Sequence, residues 1–210
     1  MLKIKHFIQQ SWLLIISSFF FGLLIAIANA RWSDEIEQNR IDKLNHLTVA
    51  LLPEAKHFID LDTLGIEIEI EASKGKRKKI KVYKAVSGAD ECVGWSFNAA
   101  GQGFQDKIEL VIAVDKDFQK LAGFDVLASN ETPGLGDKIK YDDDYRAQFK
   151  GAPAGELEAV RTRDAKKKRS QIVVISGATV SSEAVVKIIS NSITQIKKQM
   201  QEKGLIGNGK

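Results

Sequence analysis

The chain of 210 residues has room for one modest domain beside an N-terminal segment, and its 44% hydrophobic and 28% charged residues are typical of a globular protein. The net charge of +4 is mild and no aromatic residues interleave with the basic clusters, so we expect no nucleic-acid partner. The single cysteine excludes an internal disulfide, and the three histidines are too scattered in the sequence to predict a metal site.

The N-terminal segment is long and apolar enough to cross a membrane. No residue from 7 to 30 carries a formal charge, and a bilayer core needs roughly 20 apolar residues in a helix. Lys3 and Lys5 precede this stretch, whereas Asp34 and Glu35 follow it closely. Because the basic side of an anchor stays in the cytoplasm, the sequence predicts a single-pass protein of the inner (cytoplasmic) membrane whose domain lies on the periplasmic, extracytoplasmic side.

A cleaved signal peptide is the alternative interpretation of the same segment. Ala28-Asn29-Ala30 matches a small-x-small cleavage site. The apolar stretch is longer than the roughly 7–15 residues typical of a signal sequence, so we expect an uncleaved anchor. Either interpretation puts the rest of the chain outside the cytoplasm.

A helix and a hairpin are expected after the anchor. Residues 34–52 space their apolar side chains in a loosely helical pattern, and Pro53 ends it. Residues 64–72 (LGIEIEIEA) alternate isoleucine with glutamate, which predicts a half-buried strand. Residues 74–79 (KGKRKK) predict a solvated turn, and residues 80–86 its partner strand. We expect the glutamates and the lysines to offset each other's charge across this hairpin.

Three further strands complete a predicted antiparallel meander. They are expected at residues 92–99, 108–114 and 121–128, with the turn Gly101-Gln102-Gly103 between the first two. The apolar period has changed from the helical value to the alternation of strands and keeps that value through this region. The predicted fold class is therefore α+β, with an N-terminal transmembrane helix followed by an antiparallel sheet and a long C-terminal amphipathic helix.

The last third of the chain leads into that final helix. A short helix is expected at residues 145–150 after a solvated acidic run at 142–144, and residues 161–169 pack six basic residues around one aspartate. The basic run predicts an exposed hairpin turn, with a docking surface for an acidic partner or anionic lipid headgroups as the alternative. From Ser182 onward apolar residues recur every three or four positions, and Gly204 is a natural stop.

Two loops carry the functional argument. The first, ETPGLGDK at residues 131–138, has Pro133 and Gly134 where a type II turn needs them, and by itself it predicts a plain turn. The second, SGATVSS at residues 176–182, opens the final helix with small residues and hydroxyls. Unpaired backbone N–H groups at a helix N-terminus form an anion site. The alternative is ordinary N-capping by one of the hydroxyls of Thr179, Ser181 or Ser182.

Together these loops resemble a known family. ETPGLGDK, followed about forty residues later by SGATVSS, resembles the G subunit of the Rnf ion-translocating electron-transport complex. It is similar also to the C subunit of the sodium-pumping NADH:quinone oxidoreductase and, more loosely, to the wider FMN-binding domain family. The resemblance extends from the N-terminal anchor to the final helix and includes the GQGF turn at residues 101–104. The length of the chain fits the Rnf protein better than the quinone-reductase one.

The resemblance implies a flavoprotein. In this family the last threonine of the SGAT motif, here Thr179, carries FMN esterified through the phosphate, and a separate flavin transferase makes the bond. The resemblance implies that the other cofactor-binding residues are Ser176, Gly177 and Ala178 of the second loop, together with residues of the first loop beside the isoalloxazine ring: Glu131, Thr132, Gly134, Leu135 and Gly136. The flavin would relay electrons within a membrane complex of several subunits that moves sodium ions or protons, with no independent catalysis and no metal in this chain.

On this basis the chain is expected to divide into four parts. A cytoplasmic N-terminus with the transmembrane anchor takes residues 1–31, and a helical connector takes residues 32–60. The FMN-binding domain takes residues 61–204. A tail of residues 205–210 ends the chain.

One position departs from the family pattern. The attachment motif usually has an aspartate six residues before the modified threonine, and this sequence has Val173 there. The departure keeps open a second interpretation, a structural or assembly subunit with the same fold and no flavin. A third, a membrane-tethered reductase that works alone, would need a second redox centre, and a chain with one cysteine has no paired-cysteine or haem-attachment motif.

Overall fold

The computed structural model describes residues 2–71, 77–162 and 168–207, and the chain divides into two compact units, residues 1–43 and residues 44–210. The first unit consists of one helix, α1 (Leu2–Leu51), which runs on into the second. Among the described residues, α1 is the one helix long and apolar enough to cross a membrane, by length and composition. Its stretch Ser11–Leu51 contains a window of mean hydropathy 2.3.

The end of α1 agrees with the helix predicted at residues 34–52. The last N–H within reach of a helical carbonyl is that of Leu52, which donates to the Thr48 oxygen at 3.0 Å. Pro53 cannot continue the helix because it has no N–H. The predicted helix is confirmed, and it is the last part of α1 rather than a separate element.

Nine strands and two further α-helices follow α1 in the described residues. The strands are β1 (His57–Asp60), β2 (Ile68–Glu71), β3 (Arg77–Ile80), β4 (Val82–Val86), β5 (Cys92–Gln102), β6 (Lys107–Asp115), β7 (Leu121–Ser129), β8 (Glu158–Val160) and β9 (Gln171–Val173). The helices are α2 (Asp143–Ala147) and α3 (Thr179–Glu202).

A five-stranded antiparallel sheet in the order β1-β4-β5-β6-β7 forms the centre of the second unit. The predicted meander is therefore confirmed, and with it the α+β class. The strand β1 was not predicted, because four residues between Lys56 and Leu61 are too few to show an alternating pattern. It is held by pairing with β4, His57 opposite Val86.

Both faces of this sheet are covered. Trp95, Phe97 and the alternating apolar residues of β6 form one core with the inward face of α3, where Ile189 and Ile193 are fully buried. The other face is lined by small residues, Ala85 and Ala113, and Leu52 packs on them. Gly94 allows this close approach, because a Cβ there would lie 3.1 Å from Leu52 Cδ2 and 2.5 Å from the Val114 carbonyl oxygen.

The first hairpin differs from its prediction. The strand expected at residues 64–72 begins only at Ile68, after a 3-10 helix at Leu61–Leu64. Its partner is β3, in the register Ile68–Ile80 and Glu69–Lys79, whereas the predicted partner belongs mostly to β4 and pairs with β5 instead. Of the turn predicted at 74–79, residues 74–76 lie outside the described residues. The expected charge pairing is present, since Lys79 Nζ lies 2.8 Å from Glu67 Oε1.

The region after residue 140 also corrects two predictions. The acidic run starts the short helix: Asp142 is the N-cap of α2 and its carboxylate accepts the N–H of Tyr145 at 2.8 Å. The basic run at 161–169 was predicted to be a hairpin turn, but the strands on either side of it, β8 and β9, pair in parallel. Residues 163–167 of that run lie outside the described residues.

Two glutamine side chains lie against single residues of the short strands. The N–H of Val173 donates to Gln148 Oε1 at 2.9 Å, and Gln148 Nε2 donates back to the Val173 carbonyl at 3.1 Å. In the same way the N–H of Glu69 donates to Gln199 Oε1 at 3.0 Å, and Gln199 Nε2 donates to the Glu69 carbonyl. These contacts fix β9 to the end of α2 and β2 to α3.

Candidate functional site

The ETPGLG loop follows β7 and begins with a tight turn. The N–H of Leu135 donates to the Thr132 carbonyl at 3.2 Å, and Gly134 has a φ of +75°. A type II turn requires this positive φ at its third position, so the turn predicted from Pro133-Gly134 is confirmed. A 3-10 helix, Gly136–Lys140, continues from it.

The SGAT loop leaves β9 and leads directly into α3. Gly177 has a φ of +81°, and the N–H of Ala178 donates to the Ile175 carbonyl at 3.0 Å. The helix begins at Thr179, so its N-cap is Ala178, which offers no side-chain hydrogen bond. The N-capping predicted as an alternative for Thr179, Ser181 or Ser182 is therefore wrong, because all three residues lie inside the helix.

Two of those hydroxyls have structural partners instead. The Ser182 hydroxyl donates to the Ala178 carbonyl at 2.8 Å and accepts the N–H of Ile175 at 3.2 Å, so it closes the loop on itself. The Ser181 hydroxyl donates to Glu131 Oε2 at 2.5 Å. Both serines are buried. Thr179 is half-buried and Ser176 is exposed.

The structure brings the two loops together. A Cβ built on Gly177 would lie 3.8 Å from Leu135 Cδ2 and 4.0 Å from Lys138 Nζ. Leu135 is 50% exposed and Val180, next to Thr179, is 51% exposed. The junction of the loops is therefore an open surface with apolar side chains and one cation beside the start of α3. Lys138 lay in the sequence motif, but no pattern in the sequence indicated that it faces Gly177.

The turn between β5 and β6 joins the same junction. Glu131 Oε1 accepts the N–H groups of Gln105 at 3.1 Å and Asp106 at 3.5 Å, and the Thr132 hydroxyl donates to Gln105 Oε1 at 3.0 Å. Sequence reasoning missed Gln105, Asp106 and Ser181 as contacts of this loop. The sequence feature that could have indicated these contacts is a pair of glycines, Gly103 and Gly136, which leave room for the Glu131 carboxylate.

A buried tyrosine, Tyr145, donates a hydrogen bond to the first turns of α3 from the interior of the domain. Tyr145 of α2 donates its hydroxyl to the Ser182 carbonyl at 2.9 Å, and its ring packs edge-on against Phe124 and Phe149. Burial raises the pKa of Tyr145 well above its ordinary value, so the hydroxyl stays a donor. The first turn of α3 is thus held by a hydrogen bond from the protein interior.

The domain that contains both loops is similar to a known family. Residues 103–194, which contain both loops and most of α3, match the FMN-binding domain family. The crystal structure of NqrC from Shewanella oneidensis has the same fold, with a TM-score of 0.52 and 21% sequence identity. That likeness covers 61% of this chain and 66% of the NqrC chain.

The similar proteins of known name are subunits of ion-translocating complexes. The chain is 29% identical to the G subunit of an ion-translocating oxidoreductase complex from Methanosarcina acetivorans, over 71% of this chain and 72% of the relative. It is 28% identical to the G subunit of the proton-translocating ferredoxin:NAD(+) oxidoreductase complex from Clostridium ljungdahlii, over 72% of this chain and 79% of the relative. The resemblance predicted from the two loops is confirmed.

Proposed function

We propose that this chain is an electron-carrying subunit of a membrane-bound complex that couples electron transfer to ion translocation, with FMN attached through its phosphate to Thr179. The relatives support the first part, because they are named as subunits of an ion-translocating and of a proton-translocating oxidoreductase complex. The match of residues 103–194 to the FMN-binding domain supports the cofactor.

The open start of α3 is the observation that carries the proposal. Ala178 caps the helix without a side-chain hydrogen bond, so within residues 2–71, 77–162 and 168–207 no N-cap side chain satisfies the first backbone N–H groups of α3. Such groups, together with the positive end of the helix dipole, stabilise a phosphate. Thr179 is the first residue of this helix, so a phosphate on its hydroxyl is within reach of them.

The surroundings of the hydroxyls favour Thr179 within the SGATVSS loop. Ser181 and Ser182 are buried and donate hydrogen bonds inside the protein, so neither is available for attachment. The Thr179 hydroxyl makes no hydrogen bond with the part of the chain that the structure describes. Ser176 is exposed but lies in the loop before the helix and its N–H groups.

The residues beside Thr179 also fit an isoalloxazine ring. The exposed side chains of Leu135, which lies beside Gly177, and of Val180, next to Thr179, offer apolar surface that suits a planar aromatic group. We assign to the cofactor site the residues that the resemblance implies: Ser176, Gly177, Ala178, Thr179, Glu131, Thr132, Gly134, Leu135 and Gly136. When bound, FMN would supply the electron transfer, and the protein would supply its position and electrostatic surroundings.

Membrane attachment and maturation complete the proposal. α1 contains a candidate span that begins at Ser11, and the length of its apolar stretch favours an uncleaved anchor. Lys3 and Lys5 precede that span and favour a domain on the periplasmic side. The partners are then the other membrane subunits of the complex. A flavin transferase is needed for maturation, because a threonine hydroxyl is a poor nucleophile without an activating group.

A structural or assembly subunit without flavin is the second candidate function, and Val173 is the observation that favours it. The backbone of Val173 is held by Gln148, and its half-buried side chain has no carboxylate for a transferase to recognise. The two candidates differ in whether flavin is covalently present.

The test is a gel of the full chain co-expressed with a flavin transferase. After denaturation, we expect a fluorescent band under ultraviolet light and a peptide spanning Thr179 that is heavier by one FMN less one water. Thr179→Ala should lose both signals, whereas the matched variant Thr194→Ala, at an exposed threonine of the same helix outside the site, should keep them. A wild-type band without fluorescence would contradict covalent attachment and favour the structural role.

A further inference from the structure

Glu131 is a buried carboxylate at the centre of the site. Its side chain is 4% exposed, although it belongs to a loop whose neighbouring residues Pro133, Gly134 and Leu135 are exposed. Within residues 2–71, 77–162 and 168–207 it makes hydrogen bonds but no ion pair. A buried carboxylate without a cation is costly unless every oxygen is satisfied by donors, and here the donors come from two other segments of the chain.

Each oxygen of Glu131 binds a different segment. Oε1 accepts the N–H groups of Gln105 and Asp106 in the β5–β6 turn, at 3.1 and 3.5 Å. Oε2 accepts the hydroxyl of Ser181, in the first turn of α3, at 2.5 Å. The carboxylate therefore connects the ETPGLG loop both to the sheet and to the helix that begins with Thr179.

Two glycines, Gly103 and Gly136, leave room for the carboxylate of Glu131. A Cβ on Gly103 would lie 2.4 Å from Glu131 Oε1, and a Cβ on Gly136 would lie 2.6 Å from Glu131 Oε2 and 2.6 Å from the Ser181 hydroxyl. Neither has a φ in the left-handed region. These positions therefore need glycine for space and not for backbone conformation: both lie against the carboxylate, and Gly103 also lies against the Asp106 carbonyl oxygen and Ile108 Cδ1.

We propose that Glu131 is a positioning residue: its carboxylate clamps the β5–β6 turn, the ETPGLG loop and the first turn of α3 into one unit, and so sets the distance between Leu135 and Thr179. The inference rests on the proposed function where it concerns the flavin. Glu131 and Gly136 are buried, and Pro133, Gly134 and Leu135 are the residues of the loop left open to a ring.

The clamp is tested first without flavin, by amide hydrogen exchange of the full chain in detergent. In Glu131→Ala, the N–H groups of Gln105 and Asp106 lose their acceptor, and we expect their exchange to rise about tenfold or more. Ser181→Ala should raise exchange around the start of α3 to a similar extent. The matched control is Glu183→Gln, which also removes one glutamate charge, but from an exposed position of α3. Unchanged exchange at Gln105 and Asp106 in Glu131→Ala would overturn the clamp.

The second readout is the visible circular dichroism of the flavinylated protein, which reports the fixed position of the ring. We expect the band to weaken in Glu131→Ala and to recover in part in Glu131→Gln, which keeps an acceptor for the turn, with Glu183→Gln equal to wild type. Faster exchange with an unaltered flavin band would overturn the positioning role. Wild-type protein without covalent flavin would refute the proposed function and the role toward the ring, while the exchange data would still decide whether the clamp exists.

Discussion

Alanine at Gly134 or Gly177 should destabilise the protein through backbone conformation alone. Their φ values are +75° and +81°. A Cβ at Gly134 would have no atom within 4 Å, and at Gly177 the nearest would be 3.8 Å away. With no steric clash, the cost is that of a left-handed L-residue, roughly 1–2 kcal/mol. For a chain of this size each substitution should lower the Tm by about 2–4 °C for each kcal/mol.

The measurement is thermal unfolding of the full chain, followed by near-ultraviolet circular dichroism, which senses the buried Trp95. Gly155→Ala is the matched control, because Gly155 also has open space for a Cβ but no positive φ. We expect its Tm to be unchanged or slightly raised, since a compatible alanine reduces the entropy of the unfolded chain. The reasoning is refuted if Gly155→Ala loses as much stability as Gly134→Ala and Gly177→Ala, or if none of them loses any.

Three further substitutions test the supports of the site. Tyr145→Phe should lower the free energy of unfolding by about 1 kcal/mol in urea titration, because it removes the buried hydrogen bond to the Ser182 carbonyl; an unchanged midpoint would contradict that bond. Ile189→Ala, at a fully buried position of α3, should cost about 2–5 kcal/mol in the same assay. Val173→Asp should raise the flavinylated fraction measured by mass spectrometry, and no rise would show that Val173 does not limit attachment.

The final helix could be predicted because the three- and four-residue steps of its apolar residues match its one buried face. β6 and β7 could be predicted as apolar runs bounded by turns, because each contains consecutive buried residues and so is buried on both faces of the sheet. The first hairpin could not be predicted in detail, because the apolar pattern continues without interruption from β3 into β4, although these two strands belong to different sheets. Ile80 pairs with Ile68, and Val82, two residues later, pairs with Phe97.

The sequence indicates which two loops form the candidate site, but it does not indicate how their side chains contact each other and the rest of the domain. The motifs contain the exposed apolar residues of the junction, Leu135 and Val180, and Gly134 has the conformation expected from its turn. The contacts of Glu131 depend on residues 25 to 50 positions away, and the sequence between them does not specify which donors they meet. The alternative interpretation of the second loop, N-capping by a hydroxyl, is wrong for a similar reason: a hydroxyl near a helix start is a common cap, and here Ser181 and Ser182 have other partners.

The two glutamine contacts on β2 and β9 have a consequence for assembly. A primary amide presents a donor and an acceptor in one plane, as a peptide unit does, so Gln148 and Gln199 each occupy an outward-facing pair of backbone groups as a neighbouring strand would. Exposed strand edges template association with other chains, and these side chains block that pairing without adding a strand. Deamidation to glutamate would put a second acceptor against a carbonyl and leave that edge open to an unintended partner.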